Sequence, residues 1–341
     1  MKIETGTALS FDDVLLKPQR FVGESRDKID LSTNLGGVRL EIPIIAANMP
    51  SVCETDMAVA MGRMGGLGII HRMQSIDSQV KMVLQTKNKI LETEGFDRPV
   101  GAAIGIGDDW MERAVKLFEA GVNIICLDVA HGHSDRVIKI IIEFKKNWNM
   151  PLIAGNIATL LAATDLEGAD ILKVGVGGGS VCTTRIQTGC GIPTFQSVVN
   201  CTLGPNNVII ADGGIKNSGD IVKSLAAGAN AVMLGSLLAG TDEAPGEVIK
   251  GTDGNKYKIY RGAASYGAKK EFFGKAEYVE GEETLVPYRG PVSKVIEKLC
   301  EGIRSGFSYN GVTNIQDLQR NAVFVKITNA GMKESKAHGL I

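Results

Sequence analysis

No stretch of this sequence stays apolar for the ~18 residues that a membrane-crossing helix needs, so no helical span is expected. Neither sign of charge dominates. The 37 basic side chains face 38 acidic ones, which argues against a protein that holds nucleic acid or an anionic membrane surface by bulk attraction. Aromatic residues make up only 5%. The six cysteines, Cys53, Cys126, Cys182, Cys190, Cys201 and Cys300, lack metal-ligand spacing. The N-terminal Met-Lys-Ile-Glu-Thr-Gly lacks an apolar signal core. Free thiols in a reducing, cytoplasmic setting are therefore expected. What the chain does hold is glycine, 42 of its 341 residues, within a 44% hydrophobic composition. That mixture suits a parallel α/β protein with tight turns between strand and helix.

Apolar runs with strand character recur along the chain at Pro43–Ala47, Leu67–Ile70, Val100–Ile104, Ile124–Asp128, Leu152–Gly155, Ile171–Val174, Val208–Asp212 and Ala231–Leu234. Between them lie amphipathic stretches such as Asp108–Ala120 and Ser134–Lys146. Eight such units in succession predict a (β/α)8 barrel, treated as one domain over residues 1–341, rather than a doubly wound sheet. In a barrel the residues after each strand gather on one face. Here they are Asn48-Met49, His71-Arg72, Gly105-Ile-Gly107, Asp128 with His131, Asn156, the loop after Val174, Asp212-Gly213-Gly214 and Gly235-Ser236.

The loop after the sixth strand is the most informative stretch. It reads Lys173-Val-Gly175-Val-Gly177-Gly-Gly179-Ser180-Val-Cys182-Thr-Thr184-Arg185. Four glycines can bring backbone N–H groups up to an anion, and a thiol among hydroxyl and guanidinium groups can be held as thiolate. The seventh and eighth loops are where barrels hold phosphate. Asp212, before two glycines, suits a carboxylate accepting ribose hydroxyls, or else a helix cap. His131 and His133 read as a turn in a ligand loop rather than a metal site. His71 caps its loop or meets ligand, and Cys126 belongs to the core. Past the eighth strand, Lys256–Arg261 alternates as a short strand, and Tyr266–Gly290 is polar and glycine-punctuated, the pattern of a mobile lid. A helix over Val292–Gly302 and a strand over Val323–Ile327 are expected to complete the barrel wall, and the tail Lys333–Ile341 to be loosely held unless a neighbouring subunit captures it.

Several of these motifs together resemble the IMP dehydrogenase and GMP reductase family: Ser10-Phe-Asp-Asp-Val-Leu-Leu, Ile45-Ala-Ala-Asn48-Met49, Ala154-Gly-Asn156, the Gly-Gly-Ser-Val-Cys-Thr-Thr-Arg loop, Ala211-Asp-Gly-Gly214 and Met233-Leu-Gly-Ser. The likeness runs from about residue 9 to 338. It lacks the CBS regulatory modules that usually interrupt the dehydrogenases after the second strand; only Ser75–Glu94 fills that gap. The resemblance implies a purine nucleoside monophosphate, GMP or IMP, attacked at C2 by Cys182. It further implies a nicotinamide cofactor and a homotetramer without nucleic-acid or membrane partners.

No Arg-Tyr dipeptide, the water-activating pair of the dehydrogenases, occurs in the flap at about residues 266–290. Ala276-Glu-Tyr-Val-Glu280-Gly281 followed by Val286-Pro-Tyr-Arg-Gly290 is similar to the reductases instead. By that likeness, Cys182, Thr184 and Glu280 are the catalytic set of a GMP reductase using NADPH. An IMP dehydrogenase without CBS modules, using NAD, is the first alternative, and a non-catalytic nucleotide-binding barrel the second. The resemblance assigns substrate contacts to Met49, Ser180, Asp212, Gly213, Gly214, Gly235, Ser236, Tyr260, Gly262 and Gly281. Cofactor contacts fall to Asp128, Ala130, Asn156, Lys173 and Gly175, and a potassium ion to the carbonyls of Gly177, Gly179 and Cys182. Gly235–Gly246 and Lys333–His338 are closer to dehydrogenase wording, and Ala263 replaces the usual Met.

Overall fold

The computed structural model describes residues 3–205, 208–274 and 276–335. Eight parallel strands close into a barrel: Ile44–Ala46, Leu67–Ile70, Gly101–Ile104, Ile124–Asp128, Leu152–Ile157, Ile171–Val174, Ile209–Asp212 and Ala231–Leu234. The last strand returns to the first, with Val232 opposite Ile44 and Leu234 opposite Ala46. Most of their side chains are fully buried, because the interior packs one face of each strand and the surrounding helices pack the other. Isoleucine, alanine and leucine dominate those strands, which is why so few aromatic residues suffice.

Ahead of the first barrel strand, the hairpin Thr33–Leu35/Val38–Leu40 turns at Gly36-Gly37 and lies against Pro151, Asp170 and Ile171 at the starts of the fifth and sixth strands. It covers the end of the barrel opposite the loop-bearing face. The connection after the second strand is a single helix, Ile76–Glu94, capped by Ser75 and ended by Gly95 at φ 72°.

Two elements differ from what the sequence predicts. The strand expected at Val323–Ile327 forms over Phe324–Lys326 but lies outside the barrel, where it pairs antiparallel with Val14–Leu16. The eight strands close on themselves, so the barrel has no edge for a ninth. The two chain ends are held instead by ring contacts of Phe195 with Phe11 and with Phe324, at 6.0 and 5.0 Å between centroids. The helix expected to stop at Gly302 runs on from Val292 to Tyr309. A Cβ on Gly302 would come within 2.2 Å of Ser218 Oγ, and one on Gly306 within 2.6 Å of Val222. Both glycines let this helix approach Ser218–Ala226 closely, and Ile303 and Phe307 continue its buried stripe.

The segment beyond the eighth strand carries more structure than its polar composition suggests. Lys256–Arg261 is the central strand of an antiparallel sheet with Ile249–Lys250 and Glu283–Pro287, and the helix Tyr266–Phe273 sits between the two longer strands in sequence. Lys258 is buried and donates to the carbonyls of Thr241, at 3.0 Å, and Ala244, fixing this sheet to the loop after the eighth strand. Part of the C-terminal tail, residues 336–341, lies outside the described residues.

Candidate active site

The strand C-termini and the flap enclose a cavity of about 580 Å³, within the size range of small-molecule sites. Each residue the sequence nominated for substrate, cofactor or potassium lines it: Met49, Asp128, Ala130, Asn156, Lys173, Gly175, Gly177, Gly179, Ser180, Cys182, Thr184, Asp212, Gly213, Gly214, Gly235, Ser236, Tyr260, Gly262, Glu280 and Gly281. Arg72, Met73, Lys216 and Lys269 line it too. Sequence reading gave these no role. Arg72 was visible as a strand-end residue, whereas Lys269 is one lysine among several in a charged stretch.

Cys182 is half-buried, and its thiol donates to Thr184 Oγ1 at 3.1 Å. The Thr184 hydroxyl in turn donates to Glu280 Oε2 at 2.8 Å. The flap reaches the thiol by backbone pairing. Thr183 N donates to Glu280 O at 3.0 Å and Glu282 N to Val181 O at 2.8 Å, a short antiparallel bridge centred on Cys182 and Gly281. A Cβ on Gly281 would press to 3.1 Å from Ser265 N, so the flap strand lies close against residues 262–265.

A second cluster lies across the strand ends. The Lys173 ammonium is 2% exposed and contacts Asp128 Oδ1 at 3.1 Å, Asp212 Oδ2 at 3.2 Å and Asn156 Oδ1. Asn156 Nδ2 donates to Asp212 Oδ2 and to Gly175 O, both at 2.8 Å. Burial by itself would raise the Asp128 carboxyl, but Lys173 and Arg72 together outweigh it and hold it below the ordinary range. For Lys173 burial works against the charge, and the two aspartates more than reverse that, raising its pKa. Gly175, at φ 145°, has Asp212 O where its Cβ would stand, 2.0 Å away. Asp212 is no helix cap, since Asn217 caps Ser218–Ala226.

Tyr260 is buried against Met49, with its hydroxyl donating toward Met49 Sδ at 3.7 Å, and burial pushes its phenol up to about 12. Gly213 and Gly214, at φ 90° and 77°, bring their backbone against Gly178 and Gly179. His71 does cap its loop: Met73 N donates to Nδ1 at 3.1 Å, leaving Nε2 to face Glu54 at 3.2 Å. His133 pairs with Asp165 at 2.7 Å, and the exposed His131 ring stands edge-on to it with centroids 6.4 Å apart. Cys126 is fully buried in the fourth strand.

Fold and site together define a (β/α)8 barrel that presents a thiol, a hydroxyl and a carboxylate in sequence on one wall of a nucleotide-sized cavity. Residues 8–338 match the model of the IMP dehydrogenase / GMP reductase domain. The chain is 40% identical over 385 residues to the inosine-5'-monophosphate dehydrogenase of Cryptosporidium parvum, covering 98% of this chain and 95% of that one. It is 34% identical over 480 residues to the GMP reductase of Leishmania major, covering 97% of each. A cysteine-to-alanine variant of the GMP reductase of Trypanosoma brucei, solved in complex with guanosine 5'-monophosphate, superposes with a TM-score of 0.92 at 33% identity over 98% of both chains. The chain belongs to the IMP dehydrogenase / GMP reductase family of oxidoreductases, which use a nicotinamide cofactor. The 480-residue alignment against a chain of 341 shows that the Leishmania protein carries residues for which this chain has no counterpart.

Proposed function

We propose that this chain is an NADPH-dependent GMP reductase, converting GMP to IMP and ammonia. The observation that carries the reading is the continuous contact Cys182–Thr184–Glu280, closed by a flap without an Arg-Tyr pair. In this scheme Cys182 Sγ, as thiolate, adds to the electron-poor C2 of the bound purine. The exocyclic amine takes a proton passed from Glu280 through the Thr184 hydroxyl and leaves as ammonia, with its bonding pair, while sulfur stays on C2. A reduced nicotinamide held by Asp128, Ala130 and Asn156 would supply the hydride for C2. Elimination of the thiolate then breaks the carbon–sulfur bond and releases IMP. Gly213, Gly214, Gly235 and Ser236 offer backbone donors for the nucleotide phosphate, and Asp212 an acceptor for its ribose.

The other end of the cavity suits the cofactor. Asp128, Ala130 and Asn156 line it, and the buried Nε of Arg72, 3.8 Å from Asp128 Oδ2, makes no hydrogen bond among the described residues. The same reading includes a homotetramer and a potassium ion on the carbonyls of Gly177, Gly179 and Cys182. The turn closed by Cys182 N donating to Gly179 O at 3.1 Å brings that loop together, and carbonyl oxygens suit a hard cation.

One observation favours the dehydrogenase alternative: the identity of 40% is to a protein of that name. Nicotinamide absorbance separates the readings. GMP-dependent loss of NADPH is the expected result, and IMP-dependent reduction of NAD would replace the proposal with the dehydrogenase. Silence in both directions, with active controls, would leave a nucleotide-binding barrel.

A further inference from the structure

Lys269 belongs to the flap helix Tyr266–Phe273, yet its side chain turns into the cavity wall. Its ammonium donates to the carbonyls of Glu277 and Tyr278, at 2.7 and 2.6 Å. Tyr278 has φ 51°, the one positive value at a non-glycine position among the described residues. A side chain disfavours that conformation, so something must hold it. The tyrosine ring does not, being 85% exposed. Two residues later the Glu280 backbone is pinned between Ala264 O and Thr183 N, at 3.1 and 3.0 Å, and its carboxylate meets Thr184.

We propose that Lys269 is a positioning residue for proton transfer: by fastening the carbonyls of residues 277 and 278 it holds the left-handed turn that delivers Glu280 to Thr184. This rests on the role given to Glu280 above. The ammonium is the effective form, because a neutral amine donates weakly and sets its lone pair against the carbonyls. Around Lys269 stand Glu277 and Glu280 from the flap itself and Arg72 from the loop after the second strand. Burial, the largest influence, and Arg72 lower its pKa while the two glutamates raise it, and the net direction is down. The step that uses Glu280 is therefore fast below the pKa of Lys269 and fails above it, at a pH lower than an ordinary lysine would set.

The test is a double-mutant cycle in the full-length protein, with kcat and KM for GMP measured across pH. Lys269→Met is expected to lower kcat on the order of 10- to 100-fold, leave KM for GMP within about twofold, and lose the alkaline limb of the wild-type profile. Lys269→Arg should recover most of kcat, with that limb moved upward. Lys269→Met combined with Glu280→Gln should be no slower than Glu280→Gln alone. Full additivity of the two losses would overturn the inference, as would a Lys269→Met variant that loses nucleotide affinity with kcat unchanged. Near-normal turnover of Glu280→Gln would instead remove the proton-transfer role itself. Should the wild type prove to oxidise IMP, the same cycle run in that direction still decides whether Lys269 acts through Glu280.

Discussion

Among the described residues, Lys173 is the one cation paired with both Asp128 and Asp212, and replacing it with methionine tests how the strand ends are held. Methionine nearly matches its length but brings no charge to the two carboxylates now 3.1 and 3.2 Å from the ammonium. Removing one partner of a buried pair costs about 3–5 kcal/mol, because the remaining charge stays uncompensated. Both aspartate side chains keep about a fifth of their surface exposed, so the lower end, about 3 kcal/mol, is expected at pH 7. The sign of the pH dependence follows from the shifts. In the wild type the lowered pKa of Asp128 gives stability that is present above its unfolded value and lost as pH falls through the folded one. The raised pKa of Lys173 gives stability that is complete below its unfolded value and lost as pH rises through the folded one. Without Lys173 the burial of Asp128 raises its carboxyl, and protonation relieves the penalty, so the difference between variant and wild type should shrink from pH 7 to pH 5. Urea denaturation at several pH values measures this. A loss below about 1 kcal/mol, or one that does not change with pH, would refute the account.

Other perturbations probe the site piece by piece. Cys182→Ala should abolish turnover in either direction while nucleotide binding, followed by calorimetry, survives. Glu280→Gln should slow ammonia release by roughly 100-fold or more and leave nucleotide affinity nearly intact, which rapid-quench measurement of the first turnover resolves. Gly175→Ala places a Cβ 2.0 Å from Asp212 O at φ 145° and should destabilise the fold by about 2–4 kcal/mol, seen as a lower urea midpoint. Thiol labelling should be selective. Burial pushes Cys126 and Cys201 up to about 12, whereas Cys190 is exposed. Iodoacetamide at pH 8 should mark Cys190 well before those two, and early modification of Cys126, read by peptide mass spectrometry, would contradict its burial.

The flap shows where sequence reading reached its limit. Polar composition says little about strand pairing when a strand lies at a sheet surface, so Glu283–Pro287, mostly exposed, carried no alternation to notice. Lys258 illustrates the same difficulty from the other side. A lysine in an alternating strand reads as solvated, yet it is buried because two loop carbonyls accept its ammonium. Gly302 looked like a helix stop and is a close-packing point instead, since Ser218, 84 positions earlier in the chain, stands where a side chain would go.

The barrel itself was legible because each strand announces itself locally: a short apolar run, buried on both faces, ended by a polar or glycine residue that the parallel arrangement sends to a common rim. So was the thiol proposed as nucleophile, since a cysteine set in a glycine-rich turn is a local chemical statement. Distances were not legible. That Glu280 stands 96 residues from Thr184 yet 2.8 Å from its hydroxyl, and that one lysine gathers Asp128, Asn156 and Asp212, follows from barrel closure and from the flap pairing with the cysteine loop. Those are contacts between distant segments, and no local pattern of residues encodes them.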